Sequence, residues 1–408
     1  MKILIYSLNF FPEKVGIGKY SGEMAFWLAK KGIEVKVITS NCYYPHFKIN
    51  KNIYLEEKYE NLTILRTPIF LPNKFNGINR IFHFFSFSIL STPYLISNLF
   101  WRPNIVFLIS PTIICAPLTL IFSRLTINKI KTWIHIQDFE IDIAFNLGLI
   151  KVKFIKDCIS KFESKIINKF DHVSTISRNM IKKLKYKKIR SDKLYLFPNW
   201  VDTGFLYPIN KNKKLENKYR KELGIPDEAI IIMYSGSMNE KQGFGYIINA
   251  IKKIDSNNIF WIFGGEGPSK IRLQKATKKY KNVVHLNLQP NSSLNEWLNL
   301  GDIHLVPQKS SIKECALPSK ILGIMSCGKP FVAMANANSE LGKYANHGGI
   351  RVDYGNSDSF LLAIKRLIKD PQLREQLGRN GRKLVVEEFF IDNILKKFIT
   401  QTNQLIKS

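Results

Sequence analysis

The chain begins with an apolar stretch, after which the spacing of hydrophobic and polar residues changes several times. "KILIYSLNFF" is almost entirely apolar, as in a buried strand, and "GKYSGEMAFWLAKKG" places Met24, Trp27 and Leu28 on one side of a helix expected to begin near Lys19. Gly32 ends this helix, and "EVKVIT" alternates as a strand does. This order predicts a βαβ unit with a glycine-containing loop before its helix.

The same alternation continues through the first half of the chain. Strands are predicted at "LTILRTP", "NIVFLIS", "KTWIHIQ" and "HVSTIS", with helical segments between them. Such an order favours a parallel sheet with helices on both faces. Near Phe197 the pattern changes into "FPNWVDTGFLYPINKNKKLENKYRKELGIPDEA", whose Pro, Asn and Lys residues are typical of a connection.

A second alternation follows this connection. The predicted strands are "AIIIMYSGS", "NIFWIFGGEGP", "VVHLNLQP", "IHLVP" and "KPFVAM", and the helices between them include "GFGYIINAIKKI", "IRLQKATKKY" and "SKILGIMSCG". The last segment, "FFIDNILKKFITQTNQLI", is a helix with Ile394, Leu395 and Phe398 on one side. The whole pattern predicts two doubly wound α/β domains, in which ligands lie outside the carboxyl ends of the strands.

The composition is compatible with two packed domains. A chain of 408 residues exceeds what one core usually organises, and 45% of its residues are apolar. The 61 Lys and Arg residues outnumber the 32 Asp and Glu residues, which gives a formal charge of +29. Such a charge attracts nucleic acid, an anionic membrane or phosphorylated substrates, although lysines spread over solvated faces would have the same count. One basic cluster stands out: Lys182, Lys183, Lys185, Lys187, Lys188, Arg190 and Lys193.

Cysteine spacing and apolar stretches limit the cellular context. The 5 cysteines are dispersed and form no C-x-x-C pair, which argues against a disulfide framework or a zinc site and suits a reducing cytoplasm. The amino terminus lacks the pattern of a secretion signal. The apolar stretches 82–100 and 105–122 approach bilayer-spanning length, but Pro93, Pro111 and Pro117 interrupt them. A buried strand and helix, or a helix face on a membrane surface, is therefore expected.

The glycines of the first loop do not match a dinucleotide fingerprint. Gly16, Gly18 and Gly22 are one residue too widely spaced, and the second strand ends in polar residues without an acid for a ribose. A nicotinamide or flavin site is therefore not expected here. Gly16 and Gly18 would still let backbone approach a ligand closely, and a simple tight turn is the alternative.

Three segments of the second domain have residues suited to anions. "YSGSMNEKQGFG" places Lys241 just before a glycine-led helix, and "FGGEGPSK" contains Gly264, Gly265 and Gly267. In "ECALPSKILGIMSCGKP", Ser319 can cap a helix whose first turn holds Lys320. Solvated lysines and an ordinary capped helix are the alternatives.

One strand of the first domain ends in closely spaced polar residues. In "WIHIQDFEID", alternation puts His135 and Gln137 on one face and Asp138 on the other. Such a group suits a hydroxyl-rich ligand, whereas a histidine with satisfied hydrogen bonds in the core is the alternative.

Taken in order, 7 motifs resemble those of the family-4 glycosyltransferases of GT-B architecture: "FFPEKVGIGKYSGEMA", "HIQDFEID", "FPNWVD", "YSGSMNEKQG", "GGEGP", "LVPQ" and "LPSKILGIMSCGKP". The resemblance covers nearly the whole chain. It is greatest to the branch of colanic-acid and N-acetylfucosamine transferases of bacterial surface polysaccharides. It implies a retaining enzyme with a nucleotide-diphosphate sugar as donor.

The resemblance also implies an arrangement of domains and ligands. Two doubly wound Rossmann-like domains would face each other across a cleft: an acceptor-binding domain, 1–200 with a returning helix 389–408, and a nucleotide-sugar-binding domain, 201–388. The donor diphosphate would lie near the Gly16 and Gly18 loop, Lys241, Ser319 and Lys320. Further donor contacts are expected at Gly264, Glu266, Leu288 and Gln289.

The sequence departs from the family pattern at several positions. Cys315 and Gly323 stand where the family has a pair of glutamates, the second of which binds the donor ribose. Ser237 replaces an arginine upstream of the lysine. Gln137 and Asp138 replace a histidine-aspartate pair of the acceptor domain.

The chemistry of transfer assigns roles to the remaining residues. Negative charge builds on the departing diphosphate, and Lys241 and Lys320 are predicted to stabilise it without a metal or cofactor. Asp138 is predicted to orient or deprotonate the acceptor hydroxyl, with His135 or Gln137 holding the sugar.

The resulting hypothesis is a glycosyltransferase of bacterial capsule, O-antigen or exopolysaccharide synthesis. A lipid-linked acceptor would hold it at the inner face of the plasma membrane, through the basic cluster and aromatics near residues 82–87. A nucleotide-sugar epimerase of the same fold and a non-catalytic nucleic-acid-binding protein stay open as alternatives. Because the sequence has no zinc finger, basic zipper or RNP-type segment, no nucleic-acid partner is expected.

Overall fold

The structure is a computed structural model that describes residues 1–13, 16–43, 49, 51–73, 77–110, 113–125, 129–139, 153–210, 217–239, 242–254, 256–308 and 318–408. The chain forms two compact units. Unit 1 comprises Met1–Asn199 and Ile394–Ser408, and unit 2 comprises Trp200–Asn393.

Unit 1 contains a sheet of 8 strands in the order β3-β4-β2-β1-β5-β6-β7-β8. The strands are β1 (Lys2–Ser7), β2 (Glu34–Ser40), β3 (Leu55–Tyr59), β4 (Leu62–Thr67), β5 (Ile105–Ser110), β6 (Lys131–Ile136), β7 (His172–Thr175) and β8 (Leu194–Leu196). All neighbouring pairs are parallel except β3 and β4. The predicted doubly wound sheet is therefore confirmed, with an added antiparallel edge.

The antiparallel edge strand β3 was not predicted because its sequence lacks the usual pattern. Its residues, "LEEKY", are largely charged, and all of them are at least partly exposed. The connection to β4 turns at Asn61, which has a positive φ of 56°. Asparagine tolerates this left-handed conformation, so a short hairpin forms here without glycine. Charges on an outermost strand also discourage pairing with other chains.

Helices cover both faces of the sheet in unit 1. They are α1 (Gly16–Lys30), α2 (Gly77–Leu90), α3 (Thr92–Trp101), α4 (Ala116–Phe122), α5 (Lys153–Ile167), α6 (Arg178–Tyr186) and, at the end of the chain, α15 (Ile391–Lys407), which belongs to unit 1 from Ile394 onward. One continuous core joins the helices α2 to α6 to one face of the sheet, through residues such as Phe87, Leu120 and Leu184. On the opposite face, α15 inserts Phe398 against Phe107 and Trp133, with ring centroids 5.1 and 5.0 Å away.

Unit 2 contains a parallel sheet of 6 strands in the order β11-β10-β9-β12-β13-β14. The strands are β9 (Ile230–Ser235), β10 (Ile259–Gly264), β11 (Val283–Leu286), β12 (Ile303–Val306), β13 (Phe331–Met334) and β14 (Gly349–Val352). The helices are α7 (Lys218–Glu222), α8 (Phe244–Lys253), α9 (Lys270–Thr277), α10 (Leu294–Leu300), α11 (Lys320–Ser326), α12 (Glu340–Gly348), α13 (Ser357–Lys369) and α14 (Pro371–Glu388). The sequence did not predict β14 or the helices α12 to α14.

Arg382 of α14 fixes the position of α11, the helix that begins with Lys320. Its guanidinium donates to the carbonyl oxygens of Leu206 (2.8 Å) and Ser326 (2.7 Å), and also to that of Thr203 (3.0 Å). A planar group with several donors can satisfy carbonyls of several segments at once. The carboxyl end of α11 is thereby tied to the segment that enters unit 2.

The two apolar stretches of unit 1 fold as separate elements. Residues 82–100 belong to α2 and α3, which are interrupted at Ser91, and residues 105–122 include β5 and α4. Among the helices that the structure describes, none has both the length and the apolar composition needed to cross a membrane.

Candidate functional site

Two glycine-containing loops lie against each other at the carboxyl ends of β9 and β10. The amide of Gly236 donates to the carbonyl of Gly264 (2.9 Å), and the amide of Met238 donates to the carbonyl of Glu266 (2.8 Å). A Cβ atom at Gly265 would overlap the carbonyl oxygen of Gly236. The glycines of the "GGEG" motif therefore have a structural role: they allow the loop after β10 to approach the backbone of the loop after β9.

Gly264, a predicted donor contact, has a packing reason to be glycine. It is buried, and a Cβ atom there would overlap the ring of Trp297. The indole of Trp297 is fixed in turn, since its Nε1 donates to Ser235 Oγ (2.9 Å). Packing alone accounts for this glycine, so its predicted contact with a donor stays a prediction.

The amine of Lys320 is buried at the same edge of the sheet. Its Nζ lies 4.0 Å from the centroid of the Tyr234 ring. Within the described part of the chain, this Nζ has no hydrogen-bond partner. Gly236 faces it with bare backbone, since a Cβ atom at that glycine would lie 3.7 Å from Nζ. Burial lowers the pKa of Lys320 to about 7.

An unpaired buried amine is costly for folding, so its position needs a reason. Perturbed titratable groups beside glycine loops at the carboxyl edge of a sheet are typical of ligand sites. The positive charge of the protonated Lys320 amine makes an oxyanion the suitable ligand. This arrangement suits the role predicted for Lys320, which stays a prediction.

The prediction that Ser319 caps the following helix is wrong. Ser319 occupies the position before α11 but has helical backbone angles, φ −56° and ψ −26°, and its side chain makes no capping hydrogen bond. A capping serine normally has extended angles, which bring its hydroxyl to the amides of the first turn. The Ser319 side chain is exposed instead. Its predicted contact with a donor stays a prediction.

The other residues of unit 2 that are predicted to contact the nucleotide-sugar donor differ in how accessible their side chains are. The Glu266 carboxylate pairs with Lys270 Nζ at 2.8 Å. The Gln289 side chain is occupied within the protein: its Oε1 accepts from the hydroxyl of Tyr219 (2.9 Å), and its Nε2 donates to the carbonyl of Asn287 (2.9 Å). Leu288 has 46% of its surface exposed and is open to a ligand.

Two positions of interest, Lys241 and Cys315, lie outside the described residues. Gly323 is described, and it is buried on α11. A Cβ atom there would lie 3.2 Å from Leu298 Cδ1 and 3.4 Å from Leu206 Cδ1. Glycine has no side chain to reach a ribose, so the contact that the resemblance assigns to a glutamate has no side-chain equivalent at this position.

In unit 1, His135 is buried in a hydrogen-bonded row at the end of β6. Only 2% of its surface is exposed. Its Nε2 accepts from Gln137 Nε2 (3.0 Å), and its Nδ1 donates to Ser174 Oγ (2.9 Å), which also accepts from Trp133 Nε1 (2.8 Å). Burial lowers the pKa of His135 to about 3, so the imidazole stays neutral. This packing argues against contact of His135 with a sugar and favours a role in orienting Gln137.

Gln137 and Asp138 lie nearer to the surface than His135. The Gln137 amide also donates to Asn199 Oδ1 (3.1 Å), and 7% of its surface is exposed. Asp138 is half-buried at the carboxyl end of β6. Their predicted roles toward an acceptor stay predictions.

The first glycine loop contains a carboxyl group that the sequence analysis missed. The helix α1 begins at Gly16, before the expected Lys19, and Gly16 has a positive φ of 59°. Glu13 is buried beside Gly18, where a Cβ atom would overlap the carboxyl oxygen Oε2. Burial raises the pKa of Glu13 to about 7.

Glu13 ends a chain of hydrogen bonds that links three loops. Asn9 Nδ2 donates to Glu13 Oε1 (3.1 Å) and to the hydroxyl of Tyr43 (3.2 Å). That hydroxyl contacts His83 Nε2 (3.2 Å), and His83 Nδ1 donates to the carbonyl of Phe70 (2.6 Å). These residues are far apart in sequence, and no local pattern identifies them as a group.

Across the described ranges, no cluster of His, Cys, Asp and Glu is suited to holding a metal ion.

The basic cluster 182–193 is only partly available to a partner, and its predicted contact with a membrane stays a prediction. Lys187 is buried in an ion pair with Glu163 (2.5 Å), and Lys193 Nζ donates to the carbonyls of Asn168 and Phe170. Others contact Phe139 or Asp192. The exposed lysines are Lys182, Lys185 and Lys188.

The helices α2 to α6 have large apolar side chains on the side away from the sheet, which we name the outer helical face. Its exposed members are Ile81, Phe82, Phe85, Ile89, Ile96, Phe100, Ile121, Phe162 and Tyr186. Of the aromatics predicted to be exposed near residues 82–87, Phe82 and Phe85 are exposed, whereas Phe84 and Phe87 belong to the core.

Comparison with known proteins gives consistent results. Residues 216–384 match the family described as glycosyl transferases group 1. Escherichia coli (strain K12) WcaI, which bears the name of a colanic acid biosynthesis glycosyl transferase, is 34% identical over 98% of this chain and 99% of its own. Sucrose-phosphate synthase from Thermosynechococcus elongatus has the same fold, with a TM-score of 0.79 at 15% identity over 100% of this chain and 99% of its own. Anabaena Alr3699/HepE, solved with UDP and glucose, has a TM-score of 0.70 at 14% identity over 99% of this chain and 100% of its own.

Proposed function

This chain belongs to the group 1 glycosyltransferases, and we propose that it transfers a sugar from a nucleotide-diphosphate sugar to a lipid-linked glycan in the synthesis of a bacterial surface polysaccharide. The family, the α/β fold of GT-B type and the transferase activity predicted from the sequence are confirmed. The observation that carries the proposal is the full-length relationship to WcaI, whose name refers to colanic acid biosynthesis. The complex of HepE with UDP and glucose supports a nucleotide sugar as donor.

The donor diphosphate is proposed to bind at Lys320, in the space left beside its amine by the missing side chain of Gly236. Cleavage of the sugar-phosphate bond leaves negative charge on the diphosphate, and a cation held in a site with little water stabilises that charge strongly. Lys320 is such a cation, because its Nζ is buried and unpaired within the described residues. Transfer with retention and without a bound metal or cofactor is part of the proposal. Lys241 is proposed to add a second charge.

The acceptor is proposed to bind in unit 1 near the end of β6. Asp138 would orient or deprotonate the attacking hydroxyl, and Gln137 would hold the sugar through its amide. The hydrogen bond between Gln137 Nε2 and His135 Nε2 (3.0 Å) supports this division of roles, because a neutral buried imidazole fixes the amide without taking part in charge transfer.

The outer helical face is proposed to rest on the cytoplasmic leaflet that contains the acceptor. Along α2, Ile81, Phe85 and Ile89 are exposed at successive turns, with 51%, 50% and 62% of their surfaces open. An apolar stripe of this kind inserts into the headgroup region of a bilayer. The exposed lysines of α6, Lys182 and Lys185, would add attraction to anionic lipids.

The test is a transfer assay with labelled nucleotide sugars and lipid extracts from polysaccharide-producing bacteria, in the presence of EDTA. We expect one donor to yield a labelled lipid product, and Lys320→Ala to abolish it. Lys252→Ala removes an exposed lysine of α8 from the same unit and serves as the matched control. Absence of a labelled lipid with every donor would contradict the proposal, and conversion of the donor without an acceptor would indicate an epimerase.

A further inference from the structure

The amine of Lys320 rests on the face of an aromatic ring. Its Nζ lies 4.0 Å from the centroid of the Tyr234 ring, a distance at which the negative face of the ring attracts a cation. We propose that Tyr234 is a positioning residue that holds the Lys320 amine for the incoming diphosphate and leaves its charge free to bind it. This inference rests on the proposed function, in which Lys320 contacts the donor diphosphate.

The Tyr234 ring is well fixed in this position. It is fully buried at the end of β9, and its hydroxyl donates to the carbonyl of Ser237 (2.6 Å). The ring of Phe244 packs edge-on against it, with centroids 4.9 Å apart. Held at both its edge and its hydroxyl, the ring cannot turn away when the site is empty. The amine is therefore held before any ligand arrives.

An aromatic ring differs from a carboxylate as a partner for this amine. A carboxylate would neutralise the ammonium and compete with the phosphate oxygens for its three protons. An aromatic ring attracts the ammonium through its quadrupole. It does not form strong hydrogen bonds with the ammonium protons. The protons of Lys320 thus stay available on the side away from the ring. The backbone of Gly236 also lies near the amine, since a Cβ atom there would approach Nζ to 3.7 Å.

The same geometry makes diphosphate binding depend on pH. Burial lowers the pKa of Lys320 to about 7, so the empty site holds an amine that is partly uncharged at neutral pH. A bound diphosphate favours the ammonium, and the site then takes up a proton. Two other titratable groups on neighbouring strands are uncharged at neutral pH: burial raises the pKa of Tyr234 and lowers that of His304 to about 3. The ionisable residues that follow β9 and β12 in the sequence, Glu240, Lys241, Lys309, Lys313 and Glu314, lie outside the described part of the chain.

The experiment measures UDP, GDP, ADP and inorganic pyrophosphate binding to the full chain by calorimetry between pH 6 and 9. Each ligand titrates itself, so every variant is compared with wild type at the same pH. Paired titrations in two buffers of different ionisation enthalpy give the number of protons taken up. We expect wild type to bind more tightly as the pH falls toward 7 and to take up a proton near pH 8. Lys320→Arg, whose guanidinium does not titrate, is expected to bind without this uptake.

The ring is tested by two substitutions with opposite expectations. Tyr234→Phe keeps the ring and is expected to keep both affinity and proton uptake. Tyr234→Leu removes the attraction to the ammonium, so we expect the affinity at pH 7.5 to fall about tenfold and the pH midpoint of binding to move lower. An unchanged midpoint in Tyr234→Leu would mean that the ring only fills the core.

Because Tyr234→Leu leaves a space in the core, a second series keeps the shape of the ring. Progressively fluorinated phenylalanines at position 234 weaken the negative ring face with little change in volume. We expect affinity for the diphosphate to fall in steps as fluorines are added. Equal affinity across this series would overturn the proposal.

The same experiment separates this inference from the proposed function. If Lys320→Ala abolishes binding while the fluorinated series has no effect, Tyr234 is not a positioning residue but the donor site stands. If Lys320→Ala binds every nucleotide and pyrophosphate as wild type does, the donor site itself is wrong.

Discussion

The carboxyl group of Glu13 lies directly against the backbone of Gly18 in the first turn of α1. A Cβ atom at Gly18 would overlap Glu13 Oε2, and Glu13 has only 6% of its surface exposed. The glycine of this loop is thus required by a buried acid of the protein itself. The predicted contact of this loop with a ligand depends on other groups, namely Gly16 and the backbone amides in the first turn of α1.

We expect Gly18→Ala to lower the free energy of unfolding by about 2 kcal/mol, because the added methyl group must displace a buried carboxyl. Gly245→Ala is the matched control, since Gly245 lies in α8 with open space around its missing Cβ. Alanine favours a helix, so this variant should be as stable as wild type or more so. Urea denaturation compares the three proteins. Equal stability of Gly18→Ala and Gly245→Ala would contradict the packing described here.

Glu13 is expected to make the protein less stable as the pH rises from about 4.5 to about 7. Burial raises the pKa of this carboxyl from 4.5 to about 7 in the folded chain. The folded state therefore holds the proton more tightly than the unfolded state, and the stabilisation is present below the unfolded pKa and lost as the pH rises through the folded one. The full change is about 3 kcal/mol.

Glu13→Gln removes the titration, so urea midpoints of wild type and this variant are expected to diverge between pH 5 and pH 8. Glu228→Gln changes an exposed glutamate and should follow wild type at both values. A constant difference between wild type and Glu13→Gln at the two pH values would show that the carboxyl is not buried as described.

Lys320→Met is expected to stabilise the protein while it abolishes transfer. Methionine fills similar space without burying an unpaired amine, so we expect the free energy of unfolding to rise by about 2 kcal/mol in the absence of nucleotide. Denaturation and transfer assays on the same preparation measure both effects, with Lys252→Met as the exposed control. Lower stability would mean that the Lys320 amine has a hydrogen-bond or ion-pair partner that compensates for its burial.

His135 is expected to stay uncharged throughout the physiological range. Its pKa is lowered to about 3 by burial, so the imidazole carbon signals should not move between pH 5 and pH 8 in NMR spectra. His135→Ala leaves the Gln137 amide without its acceptor and should cost about 2 kcal/mol of stability. His347→Ala, at an exposed position of α12, should cost less than about 0.5 kcal/mol. Movement of the His135 signals near pH 6.5 would contradict the buried position.

The double variant Phe82→Ser with Phe85→Ser is expected to weaken binding to vesicles of phosphatidylcholine and phosphatidylglycerol at least about tenfold, because two exposed rings of the outer helical face are lost. Vesicle sedimentation measures this binding. Leu362→Ser removes an exposed apolar side chain of α13 and is the control. If both variants bind vesicles as wild type does, the outer helical face has another partner.

Much of the fold follows from local patterns in the sequence. Alternating or continuous apolar runs predict β1, β2 and β9 because burial on a sheet imposes that spacing on neighbouring residues. The charged edge strand β3 and the short β8 have no such pattern, because strands at the margin of a sheet gain their pairing from a neighbour and bury little themselves. The order of motifs also identified the family.

The sequence could identify only those residues of the candidate site whose role depends on residues adjacent to them in the chain. Lys320 could be selected because it begins a helix after a proline, but its partner Tyr234 could not, because the two meet only when β9 and α11 pack. Ser319 satisfied the sequence rule for a cap and fails it in the structure, since the backbone enters α11 with helical angles.

The amino-acid sequence by itself determined the order of strands and helices, the family and the kinds of residue available for binding an anion. Tertiary structure decided which of those residues are charged, paired or reachable. Burial shifts the pKa of Glu13 and Lys320 toward neutrality and keeps His135 uncharged. The physical reason is that solvation and contact depend on segments distant in the chain, whereas periodicity and turn chemistry depend on adjacent residues.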